Sequence, residues 1–164
     1  MINDENSSTS NPTSIQGGLR PEGKGGNMLN EPAYKETAIL VVEDNVSNFV
    51  LIARMLGYMG IHCEWKTSGY EVVEYADTLP RLSLILMDIY LPYEDGYEAL
   101  KKIRSSPALK DTPVVAVTAE ASIVQLRKAQ QAKFDGFIGK PLDPDRFPDQ
   151  IQRILRREAV WELS

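Results

Sequence analysis

Five residues stand out because each follows an apolar run and each carries a group that can do chemistry. Glu43 and Asp44 follow Ala38-Ile39-Leu40-Val41-Val42, and Asp88 follows Leu82-Ser83-Leu84-Ile85-Leu86-Met87. Thr118 ends Pro113-Val114-Val115-Ala116-Val117, and Lys140 follows Gly136-Phe137-Ile138-Gly139. Three carboxylates brought together would suit a hard divalent cation, which takes oxygen ligands. Without a cation their repulsion would raise the pKa of at least one. A carboxylate can also attack a phosphoryl group in line, provided that charge on the transferring oxygens is neutralised. An ammonium and a hydroxyl are suited to that task. Singly, each residue has a plainer reading. Glu43 and Asp44 fit a helix N-terminus, where acids are favoured by the dipole, Asp88 a loop acid, Thr118 a strand-end hydroxyl and Lys140-Pro141 an ordinary turn.

Only a fold that gathers strand ends can join these groups, and the pattern of the chain predicts one. The run 38–42 reads as a strand buried on both faces. Val46, Phe49, Val50, Ala53 and Leu56 then recur at helical spacing, with Gly57 or Gly60 ending the helix. Residues 61–66 form a less apolar second strand, 69–76 a short helix and 82–87 a third strand. A helix over 96–104 turns Ala99, Leu100 and Ile103 inward. A fourth strand follows at 113–117, then a helix over 122–131 and a short strand at 136–139. The last helix carries Phe147, Ile151, Ile154 and Leu155 on one face, with Pro148 in its first turn, where proline is tolerated. The alternation predicts an α/β fold of (βα)5 type, a doubly wound five-stranded parallel sheet with helices on both faces. In such sheets function gathers at the carboxyl ends of the strands, near the topological switch point.

Composition narrows the classes. The 164-residue chain is 43% hydrophobic with a formal charge of -5, enough to bury a core without staples. Its single cysteine, Cys63, excludes an intramolecular disulfide and a Cys-rich zinc site, and points to a reducing, cytoplasmic setting. The lone His62 reads as a strand residue and Cys63 as a small core residue. No apolar run is long enough to span a membrane, and residues 1–10 lack the basic-then-apolar pattern of an export signal. The acidic balance argues against direct nucleic-acid binding. Residues 1–35 hold five of the 11 glycines and one of the 13 aromatics, Tyr34. They read as a disordered N-terminal extension, before a domain at 36–158 and a short C-terminal tail at 159–164. Trp161, near the end, either packs back on the domain or joins a partner surface.

The stretches Ile39-Leu40-Val41-Val42-Glu43-Asp44-Asn45, Leu86-Met87-Asp88-Ile89-Tyr90-Leu91-Pro92, Asp95-Gly96, Val115-Ala116-Val117-Thr118-Ala119 and Gly139-Lys140-Pro141 resemble, in order and in spacing, the receiver domain of two-component response regulators. The resemblance covers about residues 37–156. It implies a flavodoxin-like receiver fold with Asp88 as phosphoacceptor. Mg²⁺ would be held by Glu43, Asp44, Asp88 and the backbone carbonyl of Tyr90. Lys140, the Thr118 hydroxyl and the Ala119 amide would contact the phosphoryl oxygens. Thr118 and Phe137 would form the switch, Phe137 being also readable as plain core, and the readout face would be built from the fourth helix, fifth strand and fifth helix. Tyr90 and Glu120 flank the site.

Implied partners are a sensor histidine kinase or histidine phosphotransfer protein, a downstream protein target and a phosphorylation-dependent homodimer. The chain has room for one domain, so it reads as a stand-alone receiver that catalyses only its own phosphorylation and dephosphorylation. A piece of a hybrid kinase is the other reading of its length. Rival α/β functions lack their residues. Glu43-Asp44-Asn45 would repel a pyrophosphate where a dinucleotide fold needs glycines. Tyr90 stands where a haloacid-dehalogenase-type phosphatase has its second aspartate. The remaining alternative is a receiver-like interaction module that does not depend on phosphorylation.

Overall fold

The computed structural model describes residues 34–69, 72–78 and 82–164. Apart from Tyr34 and Lys35, the extension expected over residues 1–35 lies outside them. The elements run β1 (Ala38–Val42), α1 (Val46–Tyr58), β2 (His62–Lys66), α2 (Val72–Asp77), β3 (Leu84–Met87), α3 (Gly96–Ser105), β4 (Val114–Thr118), α4 (Ile123–Gln131), β5 (Gly136–Gly139), α5 (Phe147–Leu155) and β6 (Val160–Glu162). The strands form one parallel sheet in the order β2-β1-β3-β4-β5-β6. Chain direction across the sheet reverses at β1, so the switch point lies between β1 and β3. The strands bearing Glu43 and Asp88 are therefore neighbours, in register Val42 to Met87.

The central strands are continuous apolar runs because helices cover both faces. Alternate residues of each strand serve two separate cores. Ile39, Val41, Leu84, Leu86, Val115, Val117 and Ile138 pack with Ile52 and Leu56 of α1 and Phe147, Ile151 and Ile154 of α5. Leu40, Val42, Ile85, Met87, Val114, Ala116 and Phe137 pack with α2, with Ala99, Leu100 and Ile103 of α3, and with Ala129 of α4. Period-2 strands thus sort their side chains between the helical layers.

Three helices that start at the site edge are capped there by side chains. The amide of Asn48 donates to Asn45 Oδ1 at 3.0 Å, that of Glu98 to Asp95 Oδ1 at 2.9 Å and that of Gln125 to Ser122 Oγ at 3.2 Å. Each cap satisfies an amide that the first turn leaves unpaired. As expected, Pro148 sits in the first turn of α5.

The sheet has six strands where five were expected. Residues 159–164, expected as a tail, carry β6, which pairs parallel with β5 through Gly136–Val160, Phe137–Trp161 and Ile138–Glu162. Trp161 packs back against the core beside Phe137, the first of its two readings, and stays partly exposed. A three-residue strand leaves too short a run for period-2 alternation to be seen in sequence. Val160 is fully buried among the α5 residues.

Leu86 lies in the middle of β3 and is 1% exposed. Leu86→Ala is expected to lower the unfolding free energy by about 2–5 kcal/mol. Urea titration followed by circular dichroism measures it, and a loss below about 1 kcal/mol would contradict the described core.

Candidate functional site

The backbone fixes the acids before any side chain acts. The Glu43 amide donates to the Lys66 carbonyl and the Asp88 amide to the Val42 carbonyl, both at 2.9 Å. These bonds carry the sheet ladder one residue past the strand ends. Gly96 opens α3 against the Asp88 backbone: a Cβ there would lie 2.8 Å from the Asp88 carbonyl oxygen. Its amide donates to the Ile89 carbonyl at 2.8 Å. Only a residue without a side chain allows that approach. On the other side, the Lys140 amide donates to the Thr118 carbonyl at 2.8 Å, which ties the ends of β4 and β5 together. The Lys140–Pro141 peptide bond is cis.

Four of the carboxyl-end groups expected from the sequence converge here, and Thr118 ends the neighbouring strand β4. Oxygens of Glu43, Asp44 and Asp88 lie within 4.8 Å of one another. Glu43 is 2% exposed and Asp88 8%, whereas Asp44 is open to solvent. The Lys140 ammonium donates to Asp88 Oδ2 at 2.9 Å and closely to Glu43 Oε2. Burial pulls the Lys140 pKa down, but hydrogen bonds and the charges of Glu43 and Asp88 together outweigh it and leave it above the ordinary lysine range. The ammonium is therefore held charged between two nearly buried carboxylates. Their remaining oxygens accept from backbone: Asn45 N–H to Glu43 Oε1 at 3.0 Å, and Tyr90 N–H to Asp88 Oδ1 at 3.1 Å. Burying these charges is tolerable only with such pairing.

Trp65 is a site residue that the sequence did not single out. Its indole N–H donates to the Glu43 carbonyl at 2.8 Å, and its ring stacks on Phe49 of α1 at 4.3 Å between centroids. The available signal was its place one residue before the end of β2, beside β1 at the switch point. His62 and Cys63 stay away from the acids. His62 pairs with Glu64 at the surface at 2.6 Å, and Cys63 is half-buried, with burial pushing its thiol up.

Thr118 is fully buried, and its hydroxyl accepts from the Glu120 amide at 3.4 Å. Ala119 is exposed at the start of the loop to α4. Phe137 lies two strands from Asp88, fully buried beneath α4. Across the rim, the Tyr90 hydroxyl is hydrogen-bonded to the Glu120 carboxylate, which also accepts from Gln125 Nε2 at 3.0 Å. Tyr97 of α3 donates to Gln125 Oε1 at 3.4 Å, and the Lys128 ammonium sits 4.4 Å above the Tyr97 ring. The loops after β3 and β4 are thus joined by a polar chain running from Tyr90 to α4.

The bond to Glu120 pushes the Tyr90 pKa up to about 12, aided by desolvation and nearby negative charge. It holds Glu120 below the usual carboxylate range. Because the folded-state pKa of Tyr90 is raised, the contribution of this bond is fully present below the ordinary tyrosine pKa. It fades as pH rises toward the folded value. Ultraviolet titration of the chain against Tyr90→Phe is expected to show Tyr90 ionising above its ordinary value. Glu120→Gln should bring it back down, and an unshifted Tyr90 would disprove the clasp.

Comparison with known proteins agrees with this geometry. The response regulator receiver domain family matches residues 39–152. The chain is 37% identical over 115 residues to the signal transduction histidine-protein kinase BarA of Escherichia coli K12, covering 70% of this chain but only 12% of BarA. It is 32% identical to the probable methanogenesis regulatory protein FilR2 of Methanothrix harundinacea, covering 77% of this chain and 86% of that protein. Among solved structures, it is similar to the receiver domain of sensor histidine kinase PA1611 from Pseudomonas aeruginosa PAO1, which has magnesium coordinated in its active-site cleft. The TM-score is 0.63 at 34% identity, covering 73% of this chain and 94% of that one. With the sheet order, the acid cluster and the lysine in place, the chain belongs to the receiver domain family of the two-component response regulators.

Proposed function

We propose that this chain receives a phosphoryl group on Asp88 in a Mg²⁺-dependent reaction and passes the change to a protein-binding face. One observation carries the reading. The Lys140 ammonium bonds both Glu43 and Asp88 at the switch point, with Asp44 beside them. The donor set is all oxygen, partly open to solvent through Asp44, and fits a hard divalent cation. Glu43, Asp44, Asp88 and the Tyr90 carbonyl would hold Mg²⁺. When bound, the ion would offset charge on the phosphoryl oxygens and the mutual repulsion of the acids.

The residues of the chain supply the rest. A carboxylate oxygen of Asp88 attacks phosphorus in line. The O–P bond forms as the bond to the donor atom breaks, and the electron pair leaves with the donor. A phosphohistidine of a sensor kinase or phosphotransfer protein is the fitting donor, because neutral imidazole is a good leaving group. Lys140 would then exchange its contact with the Asp88 carboxylate for a phosphoryl oxygen, retaining its charge. The Thr118 hydroxyl has one weak backbone contact to give up and can turn toward the phosphate, joined by the Ala119 amide. The space it leaves is what Phe137 could enter from β5. Population shift needs only that these contacts differ between two states.

A receiver-like module independent of phosphorylation would not need Glu43, Asp44, Asp88, Thr118 and Lys140 together, and all are present. With Mg²⁺ and a small-molecule phosphodonor, the chain is expected to gain one hydroxylamine-labile phosphoryl group, detected by intact mass. Asp88→Asn and chelation should each abolish it. Undiminished labelling of Asp88→Asn would refute the assignment. Asp44→Asn should weaken Mg²⁺ binding by more than the roughly tenfold that changes outside a ligand shell already cost, as read by titration of Trp fluorescence.

A further inference from the structure

The feature that the proposed phosphoacceptor chemistry does not use is β6. It lies on the face between α4 and α5, against β5, and its side chains alternate between the two helices. Val160 and Glu162 face α5: Val160 is buried with Ile151 and Ile154, and Glu162 is gripped by three residues of the helix and its start. Arg146 donates to Glu162 Oε2 at 2.7 Å, Gln150 to the same oxygen at 2.6 Å and Arg153 to Oε1 at 3.0 Å. Arg153 also donates to the Ala159 carbonyl at 3.0 Å. Its other ionic neighbours are Asp149 at 3.6 Å and Glu158 at 3.9 Å. Trp161 and Leu163 face the opposite layer, packed on the core that holds Phe137, Leu126 and Ala121.

This is the arrangement by which a groove reads an extended peptide: strand addition for affinity, alternate side-chain sites for specificity. The hold is short. β6 spans three residues, and Trp161, Glu162 and Leu163 all remain partly exposed. Its end also touches the site. A Cβ on Gly139 would overlap the Leu163 carbonyl and Ala121. Gly139 pairs with Thr118 in the sheet and precedes Lys140. Ala121 lies three residues after Thr118, in the loop to α4. A shift of that loop toward Asp88, or of Phe137 beneath Trp161, changes the surface on which β6 rests.

We propose that the β5 edge between α4 and α5 is a peptide-binding groove, selective for an apolar–aromatic–acidic–apolar strand, that residues 160–163 occupy in cis, and that phosphoryl loading of Asp88 releases them. The release step rests on the phosphoacceptor reading; the groove itself does not. Because cis occupancy competes at high effective concentration, a peptide added in trans meets a largely closed groove in the resting chain.

The test uses the full chain and a fluorescent peptide of residues 158–164. Trp161→Asp combined with Glu162→Arg in the chain is expected to empty the groove and raise peptide affinity by about tenfold or more over the unchanged chain. A peptide carrying the Glu162→Arg change should lose that binding. Equal affinity for the two chains would overturn the groove. Mg²⁺ with beryllofluoride should give a similar gain in the unchanged chain and speed hydrogen exchange over residues 160–163, with Asp88→Asn showing neither. If beryllofluoride alters exchange around Asp88 and Ala119 but not at 160–163 or in peptide affinity, release is overturned and the phosphoacceptor survives. If beryllofluoride alters nothing, the phosphoacceptor reading falls and release falls with it. The doubly substituted chain still decides the groove.

Discussion

The arrangement of the site depends on one ammonium. Glu43 and Asp88 are nearly buried and would repel each other across the switch point, and Lys140 lies between them with a bond to each. Such a pairing repays its desolvation only when the geometry is good and the leftover oxygens are satisfied. Here the backbone meets that condition, through the amides of Asn45 and Tyr90. The three charged groups come from the ends of three different strands, so the sheet must be complete before the pairing can exist. Removing the lysine would leave two buried acids to be met by solvent, by protons or by a metal. The need for a cation is therefore built into the fold.

That requirement shapes the neighbouring loops. Gly96 lets α3 begin against the Asp88 backbone, and Asp95 caps the helix there. Trp65 ties β2 to the Glu43 carbonyl and covers the start of α1 with its stack on Phe49. The Tyr90–Glu120 bond closes the opposite rim and continues through Gln125 to Tyr97. Two of these features hold the acids in place from beneath. The third joins the loops that follow β3 and β4. A clasp on an exposed rim is weakly held because solvent competes for both partners.

Much of this was legible because the responsible signals are local. The buried strands announce themselves as apolar runs, and a polar residue after each run marks a strand end. Glu43, Asp44, Asp88, Thr118 and Lys140 were all picked out that way, and the meeting of the three acids with the lysine followed from parallel topology. Trp65 was not found, since an aromatic near the end of a half-buried strand has many uses and its partner is a backbone carbonyl 22 residues away. β6 was missed for a related reason. Three residues give no period, and parallel addition to β5 requires a crossover through α5 rather than a hairpin with turn residues of its own. The residues that anchor Glu162 are Arg146, just before α5, and Gln150 and Arg153 on it, so the partners lie 9 to 16 residues away and share no local pattern with β6.

The same period of two that sorted the core sets β6 apart from the inner strands. Each inner strand sends every side chain into one of two apolar layers, so none can leave without opening both cores. β6 stands at the edge, and its outward alternation reaches a polar clamp on one side and a partly exposed tryptophan on the other. Its backbone satisfies the β5 edge, which would otherwise be open to another strand. Loss of β6 would therefore uncover a strand edge together with the contacts that Val160 makes with α5 and Trp161 with the opposite layer. Phe137 sits where these two regimes meet: fully buried in the inner core, yet paired in register with Trp161 of the edge strand. A ring in that position can pass a rearrangement near Thr118 to the outer face by packing alone, since its lack of a hydroxyl leaves it no hydrogen bond to exchange. Under the proposed release, coupling from site to surface would rest on shape, transmitted through a sheet whose central strands are buried on both faces.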